Sequence, residues 1–91
     1  LVDPIAADMV SLARQRIASD RDLPTSRINL LDIYAVTWND GSLGCPVEDQ
    51  DYIEIEIDGY RLVLEVGDTE YIFHTDFDRP VICDVENEVL P

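Results

Sequence analysis

The first part of the chain has the hydrophobic spacing of an amphipathic helix. Asp3 followed by Pro4 is a typical helix start, because aspartate caps free amide groups and proline fits the first turn. Apolar residues then recur at helical spacing, namely Ile5, Met9, Leu12, Ala13 and Ile17. This pattern predicts one helix over residues 4–19 with those side chains in the core.

The next apolar run is typical of a strand. Residues 28–38 are rich in β-branched and aromatic side chains and predict a long first strand. The adjacent apolar pairs Leu30-Leu31 and Ala35-Val36 interrupt the alternation, which indicates a β-bulge or partial covering of both faces. Residues 39–42 then predict a turn, and residues 43–50 an irregular loop.

Alternation and turn residues predict a meander after this loop. Ile53, Ile55 and Ile57 alternate with acidic residues, and Asp58-Gly59 and Gly67-Asp68 are typical two-residue hairpin turns. The two turns set a register with one apolar face, which pairs Ile55 with Leu62, Ile53 with Leu64, Leu62 with Phe73 and Leu64 with Tyr71. The opposite face would carry a row of Glu56, Arg61 and His74. We therefore predict that His74 lies on an exposed strand face beside Arg61.

A short strand and an acidic segment close the sequence. Residues 81–83 predict a last strand, and residues 85–91 a frayed acidic tail outside an ordered core of residues 4–84. The elements together predict a single α+β domain over residues 1–91. In it, the N-terminal helix packs on a four- or five-stranded antiparallel sheet, cystatin-like or roll-like in outline.

The charge balance narrows the possible partners. Twenty acidic residues stand against six arginines and no lysine, for a net charge of −14. Nucleic acids and anionic membrane surfaces would be repelled, and no apolar run approaches the roughly 18 residues that insert across a bilayer. The charge indicates solubility in a salty or extracellular setting, or else recognition of a basic protein partner or of divalent cations.

The two cysteines, Cys45 and Cys83, are 38 positions apart. This spacing is not a C-x-x-C redox motif, and a single histidine is too few for a zinc site with about four nitrogen or sulfur ligands. A disulfide is the simplest account, and it predicts an oxidising compartment, so a secreted or cell-envelope protein. Two unpaired buried thiols in a cytosolic protein are the alternative.

The sequence predicts no catalytic residues, no cofactor and no metal site. His74 is the only imidazole, and Ser42 stands in a glycine-rich turn without a Gly-x-Ser-x-Gly elbow. His74, Asp76 and Asp78 alternate as metal ligands could, but the ordered Asp-x-Asp-x-Asp-Gly loop is missing. A solvated acidic face is therefore the prediction, with a bound Ca²⁺ as the alternative.

The loop around Cys45 is the candidate interaction surface. It comprises Trp38, Asp40, Ser42, Leu43, Gly44, Pro46 and Tyr52, of which the two aromatic residues are the plausible contact residues. One alternative function is a serine-protease inhibitor, in which the loop Gly41–Val47 enters a protease cleft and Leu43 fills the primary specificity pocket. In the other interpretation, the same residues form a turn whose leucine folds inward.

The run Trp38-Asn39-Asp40-Gly41-Ser42-Leu43-Gly44-Cys45-Pro46, with residues 59–65, residues 71–76 and Cys83, resembles a family of small uncharacterised bacterial envelope or lipoprotein domains. The likeness covers most of residues 5–83. It implies export and the Cys45–Cys83 pairing, and it implies no activity. This chain departs from the family in being unusually acidic between Val47 and Asp58. We predict a non-enzymatic extracytoplasmic binding domain, for which a basic protein partner is favoured.

Overall fold

The computed structural model describes residues 3–91, so residues 1 and 2 of the predicted domain lie outside it. One helix precedes a four-stranded antiparallel sheet in the strand order β1-β2-β3-β4. The elements are α1 (Pro4–Arg21), β1 (Asn29–Trp38), β2 (Ile57–Val66), β3 (Thr69–Thr75) and β4 (Pro80–Cys83), with short 3-10 turns at Thr25–Arg27 and Val85–Asn87. The predicted helix on an antiparallel sheet is confirmed, with four strands.

Helix α1 begins at the predicted residue. One carboxylate oxygen of Asp3 accepts the amide of Ala6 at 2.9 Å, and the other accepts the hydroxyl of Tyr60 at 2.8 Å. These bonds, the amide bond first, lower the pKa of Asp3 and tie the helix start to β2. The helix ends two residues later than predicted, where Asp22 adopts a left-handed conformation and its amide donates to Ala18.

The buried stripe of α1 differs from the predicted one. Its members are Ala6, Met9, Val10, Ala13 and Ile17. Ile5 and Leu12 were predicted to be in the core, but both are exposed. At 3.6 residues per turn they lie about 100° or more around the helix from the centre of the stripe, so the sheet covers neither.

The β2–β3 hairpin has the predicted register. Its turn is Gly67-Asp68, and Leu62 pairs with Phe73 and Leu64 with Tyr71 on the face toward the helix. Arg61 pairs with His74 on the opposite face, where Glu65 also lies opposite Glu70. The two-residue turn fixes this register locally, so the sequence was sufficient to predict it.

The other predicted hairpin, at Asp58-Gly59, is wrong. Both residues lie inside β2, where β1 is the neighbouring strand and Val36 is the partner of Gly59. Ile53 and Ile55, which were predicted to be core strand residues, precede β2 and are 64% and 55% exposed. Because β1 fills the position of the predicted partner strand, Glu56 does not lie opposite Arg61, whose partner on that side is Tyr34.

The predicted irregularity in β1 is confirmed as a register shift between Leu30 and Asp32. A bulge of this kind inserts one extra residue, Leu31, and leaves the strand paired on both sides of it. The core lies between α1 and the faces of β2 and β3, with Ile28, Leu62, Leu64 and Phe73 at its centre. Among residues 3–91, no helix is both long enough and apolar enough to cross a bilayer.

The face of the sheet away from α1 is called here the open face. Residues 39–46 cover one part of it, and residues 84–91 cross it, with the amide of Val89 donating to the Gly44 carbonyl at 2.8 Å. The latter segment was predicted to be a frayed tail. The structure places it on the sheet because Glu88 meets two polar side chains of the open face, Arg61 and His74.

Candidate functional site

The disulfide anchors the loop at residues 39–46 to the open face. The predicted bond between Cys45 and Cys83 is present, with Cα atoms 5.8 Å apart. Cys83 is the last residue of β4, so the bond joins the loop to the far strand of the sheet. The loop is thereby held over His74.

Short-range contacts fix the conformation of this loop. The Asp40 carboxylate accepts the hydroxyl of Ser42 at 2.6 Å and its amide at 2.9 Å, and both bonds lower the pKa of Asp40. Leu43 and Gly44 then take positive φ angles of 56° and 71°. Two successive left-handed residues reverse the chain, so that the Leu43 carbonyl points toward the sheet.

Trp38 is a packing residue and is not available for contact with a partner. It is fully buried, and its indole Nε1 donates to the Thr75 carbonyl at 2.9 Å. Its ring stacks on His74 with ring centroids 4.4 Å apart. A Cβ atom on Gly44 would lie 2.5 Å from the indole Cζ3, so the loop approaches the ring only because residue 44 is glycine. The prediction of Trp38 as an interaction residue is wrong, since the loop and His74 cover it.

His74 is buried, so its predicted exposure is wrong as well. Its Nδ1 lies 2.6 Å from the Leu43 carbonyl oxygen and its Nε2 lies 2.5 Å from Oε2 of Glu88. Both ring nitrogens therefore face oxygen acceptors, and a neutral imidazole can donate to only one of them. The two contacts hold the ring between the loop and Glu88.

Glu88 joins His74 to Arg61. Arg61 donates to both carboxylate oxygens, from Nε to Oε2 at 2.5 Å and from Nη2 to Oε1 at 3.0 Å. The Arg61 bond is the main cause of a lowered pKa for Glu88; burial opposes it and the His74 bond adds to it. Sequence reasoning missed Glu88. The predicted Arg61–His74 pair was a signal, because two neighbouring basic side chains favour a carboxylate beside them. The chain has twenty carboxylates, so the sequence could not show which one fills this role.

Comparison with known proteins bears on this geometry. Residues 10–83 match a domain of unknown function, DUF8738. The chain belongs to this family. No curated protein and no solved structure matches the chain. The match includes Arg61 and His74 together with the loop and its disulfide, and it carries neither a location in the cell envelope nor an activity.

The predicted interaction loop of this DUF8738 domain does not form one exposed surface. Ser42 and Gly44 are buried with Trp38, and Leu43 is 4% exposed. Asp40 and Tyr52 are half-buried, and Pro46 is exposed. Leu43 is folded inward and cannot fill a protease specificity pocket in this conformation, which argues against the inhibitor interpretation. The loop packs against Trp38, and its Leu43 carbonyl faces His74.

Two of the three side chains considered as metal ligands, those of Asp76 and His74, have other partners in the DUF8738 domain. The Asp76 carboxylate accepts the amides of Asp78 and Arg79 at 2.7 and 2.8 Å and so caps the turn before β4. His74 is bound to Leu43 and Glu88. Within residues 3–91, no three histidine, cysteine, aspartate or glutamate side chains gather as metal ligands would.

Replacing Glu88 tests what holds residues 84–91 on the open face. We expect Glu88→Gln to lower the free energy of unfolding at pH 7 by about 2 kcal/mol, because Arg61 and His74 lose a charged acceptor. Folding lowers the pKa of Glu88, so its contribution is complete above the ordinary glutamate value of about 4.3 and is lost as the pH falls through the lower folded value. Wild type and Glu88→Gln should therefore become equally stable in acid.

Urea unfolding at stepwise pH measures this difference. Asp3 and Asp40, whose pKa values are also lowered, contribute equally to wild type and to Glu88→Gln. Their contributions therefore cancel in the difference between the two free energies of unfolding. Glu86→Gln, which changes an exposed carboxylate of the same segment, is the control and should cost less than about 0.5 kcal/mol. A gap between wild type and Glu88→Gln that stays constant down to pH ~2 would contradict the assignment of the charged carboxylate as the contributing group.

Proposed function

We propose that this domain is a non-enzymatic, extracytoplasmic binding module that recognises a basic surface on a protein partner. The acidic segment, defined as residues 47–58, carries the proposal. All six of its carboxylates are exposed, and the chain has no arginine or lysine between Arg27 and Arg61. The ion pairs found among residues 3–91 join Glu88 to Arg61 and His74, and Arg16 to Asp20, so none neutralises this segment.

The charge of the acidic segment indicates which kind of partner surface it would attract. Uncompensated carboxylates on one stretch of surface attract cationic side chains and accelerate association with a basic patch. The exposed Val47, Ile53 and Ile55 lie among these carboxylates and add apolar area. A protein surface that combines arginine or lysine with apolar residues fits this arrangement better than a free cation does.

The assignment as non-enzymatic is supported by the polar side chains of the site. Both cysteines are joined in the disulfide, which removes a thiolate nucleophile. His74 is buried with both ring nitrogens bound, so it has no free nitrogen to act as a general base. Export is supported by the disulfide, since such bonds persist mainly in oxidising compartments.

Charge neutralisation within the acidic segment tests the proposed partner class. The triple variant Glu48→Gln/Asp49→Asn/Asp51→Asn should bind a partner captured from an envelope extract about tenfold more weakly, since three exposed charge contacts contribute about 0.5 kcal/mol each. Raising the salt concentration should weaken wild-type binding by a similar factor. Titration calorimetry measures both effects.

The matched control removes three exposed charges elsewhere, at Asp8, Asp22 and Glu86. This control keeps the net charge of the first variant, so it should retain nearly wild-type affinity if the acidic segment is the contact. Equal losses in both variants would show that only the overall charge matters. Binding that does not change with salt would exclude charge as the basis of recognition.

A further inference from the structure

The outer edge of β1 is open to strand pairing. β1 pairs only with β2, and no backbone hydrogen bond within residues 3–91 reaches its other edge. Natural sheets protect such edges with charged residues, prolines or bulges. β1 has its bulge and its only charge at Leu31 and Asp32, and the stretch Ile33–Trp38 contains no charge, proline or register shift. These six residues form an unprotected edge.

Two grooves flank this edge, one on each face of the sheet, and both combine apolar and polar lining. The groove on the helix side has a volume of about 230 Å³ and is walled by Tyr60 and Phe77. The groove on the open face has a volume of about 370 Å³ and is walled by Tyr34 and Leu90. Residues 35–37 line both grooves, and Phe77 and Leu90 are each 48% exposed. An added strand would direct alternate side chains into the two grooves.

The charges at the two ends of the edge indicate the chemistry of the added strand. Asp32 precedes the stretch, and Asp40 and Asp58 lie at its other end, where Asp58 pairs with Thr37. A strand with uncharged residues in its centre and lysine or arginine at both ends would match this pattern. A second copy of the chain would bring aspartates to the same ends and oppose a net charge of −14 with another.

We infer that the basic partner docks by adding a β-strand to the Ile33–Trp38 edge of β1, with alternate side chains in the two flanking grooves and its cationic ends beside the aspartates. This inference rests on the proposed function and names where and how the partner binds. Main-chain hydrogen bonds to β1 would supply affinity, and the two grooves would supply selectivity for the alternate side chains of the added strand.

A synthetic peptide with alternating valine and threonine between two lysine pairs is the probe. Its control has the same charge and a proline at its centre, which removes a main-chain donor and disrupts strand pairing. We expect the first peptide to bind at least about tenfold more tightly than the proline peptide and to slow amide hydrogen exchange within residues 33–38. The variant Ala35→Lys should weaken its binding at least about tenfold, because an edge lysine blocks pairing.

Ser19→Lys adds the same charge on the exposed side of α1 and should leave binding unchanged. Equal binding of both peptides, with exchange slowed only within residues 47–58, would overturn the edge as the docking site and leave the proposed function standing. Failure of both peptides to bind would overturn the edge as well, whereas the proposed function fails separately through salt-insensitive partner binding. If the β1 amides are protected from hydrogen exchange in the absence of peptide and the protein sediments as a dimer, a second copy of the chain occupies the edge. That result would contradict the inference.

Discussion

Gly59→Ala is expected to lower the free energy of unfolding by at least about 3 kcal/mol, more than typical overpacking in a core. A Cβ atom at residue 59 would lie 1.6 Å from the Thr75 carbonyl oxygen, far inside van der Waals contact. That oxygen cannot move freely because it accepts the Trp38 indole, and the Thr75 hydroxyl accepts the amide of Tyr60. Relief of the clash requires β2 and β3 to separate where their pairing ends.

Gly67→Ala is the matched control for this substitution. Gly67 lies in the β2–β3 turn with a φ of 58° and open space around a Cβ atom, so alanine there costs only the left-handed conformation, about 1 kcal/mol. Urea unfolding followed by circular dichroism measures both variants. If both substitutions lower the free energy of unfolding by the same amount, the close approach of β3 to Gly59 is not the cause of the loss at that position. The comparison separates steric contact from backbone conformation at two glycines of one hairpin.

Removing the disulfide should cost about 4 kcal/mol, since the bond closes a loop of 38 residues and restricts the unfolded chain. A domain of this size has a net stability of roughly 5–15 kcal/mol, so the reduced protein should retain only a fraction of its folded population under mild denaturant. Cys45→Ser/Cys83→Ser is the variant, and reduced wild type is its natural comparison. Denaturant titration gives the free energy in each case.

The single variants serve as an internal control for the disulfide prediction. Cys45→Ser and Cys83→Ser each open the same bond, so each should cost nearly as much as the double variant. Additive costs would show that the sulfur atoms contribute by packing rather than by the cross-link. A loss below about 1 kcal/mol would mean that the contacts of Leu43 and Gly44 hold the loop without the bond.

The parts of the fold that could be predicted from sequence are those specified by neighbouring residues. The start of α1 at Asp3-Pro4 and the register set by Gly67-Asp68 depend on a few adjacent positions. The pairing of β1 with β2 depends on residues separated by the connection at 39–56, which contains no short turn to fix a register. Asp58-Gly59 has the composition of a turn, but its glycine is required for close packing under Thr75.

The same distinction explains the errors at the site. His74 was assigned to an exposed face because alternation places it opposite the core residues, and the open face was expected to be solvated. Its burial depends on Leu43, Trp38 and Glu88, which come from three separate parts of the chain. Strand alternation predicts the face on which a side chain lies but not what covers that face.

The stacking of Trp38 on His74 provides the protein with an intrinsic fluorescent reporter. Trp38 is the only tryptophan in the chain, so all indole emission comes from this one position. Trp38 is fully buried under the loop and His74, so release of Glu88 and the loop would admit water to the indole and change the wavelength of its emission. Local opening of the open face can therefore be followed in the unlabelled protein, separately from loss of the helix.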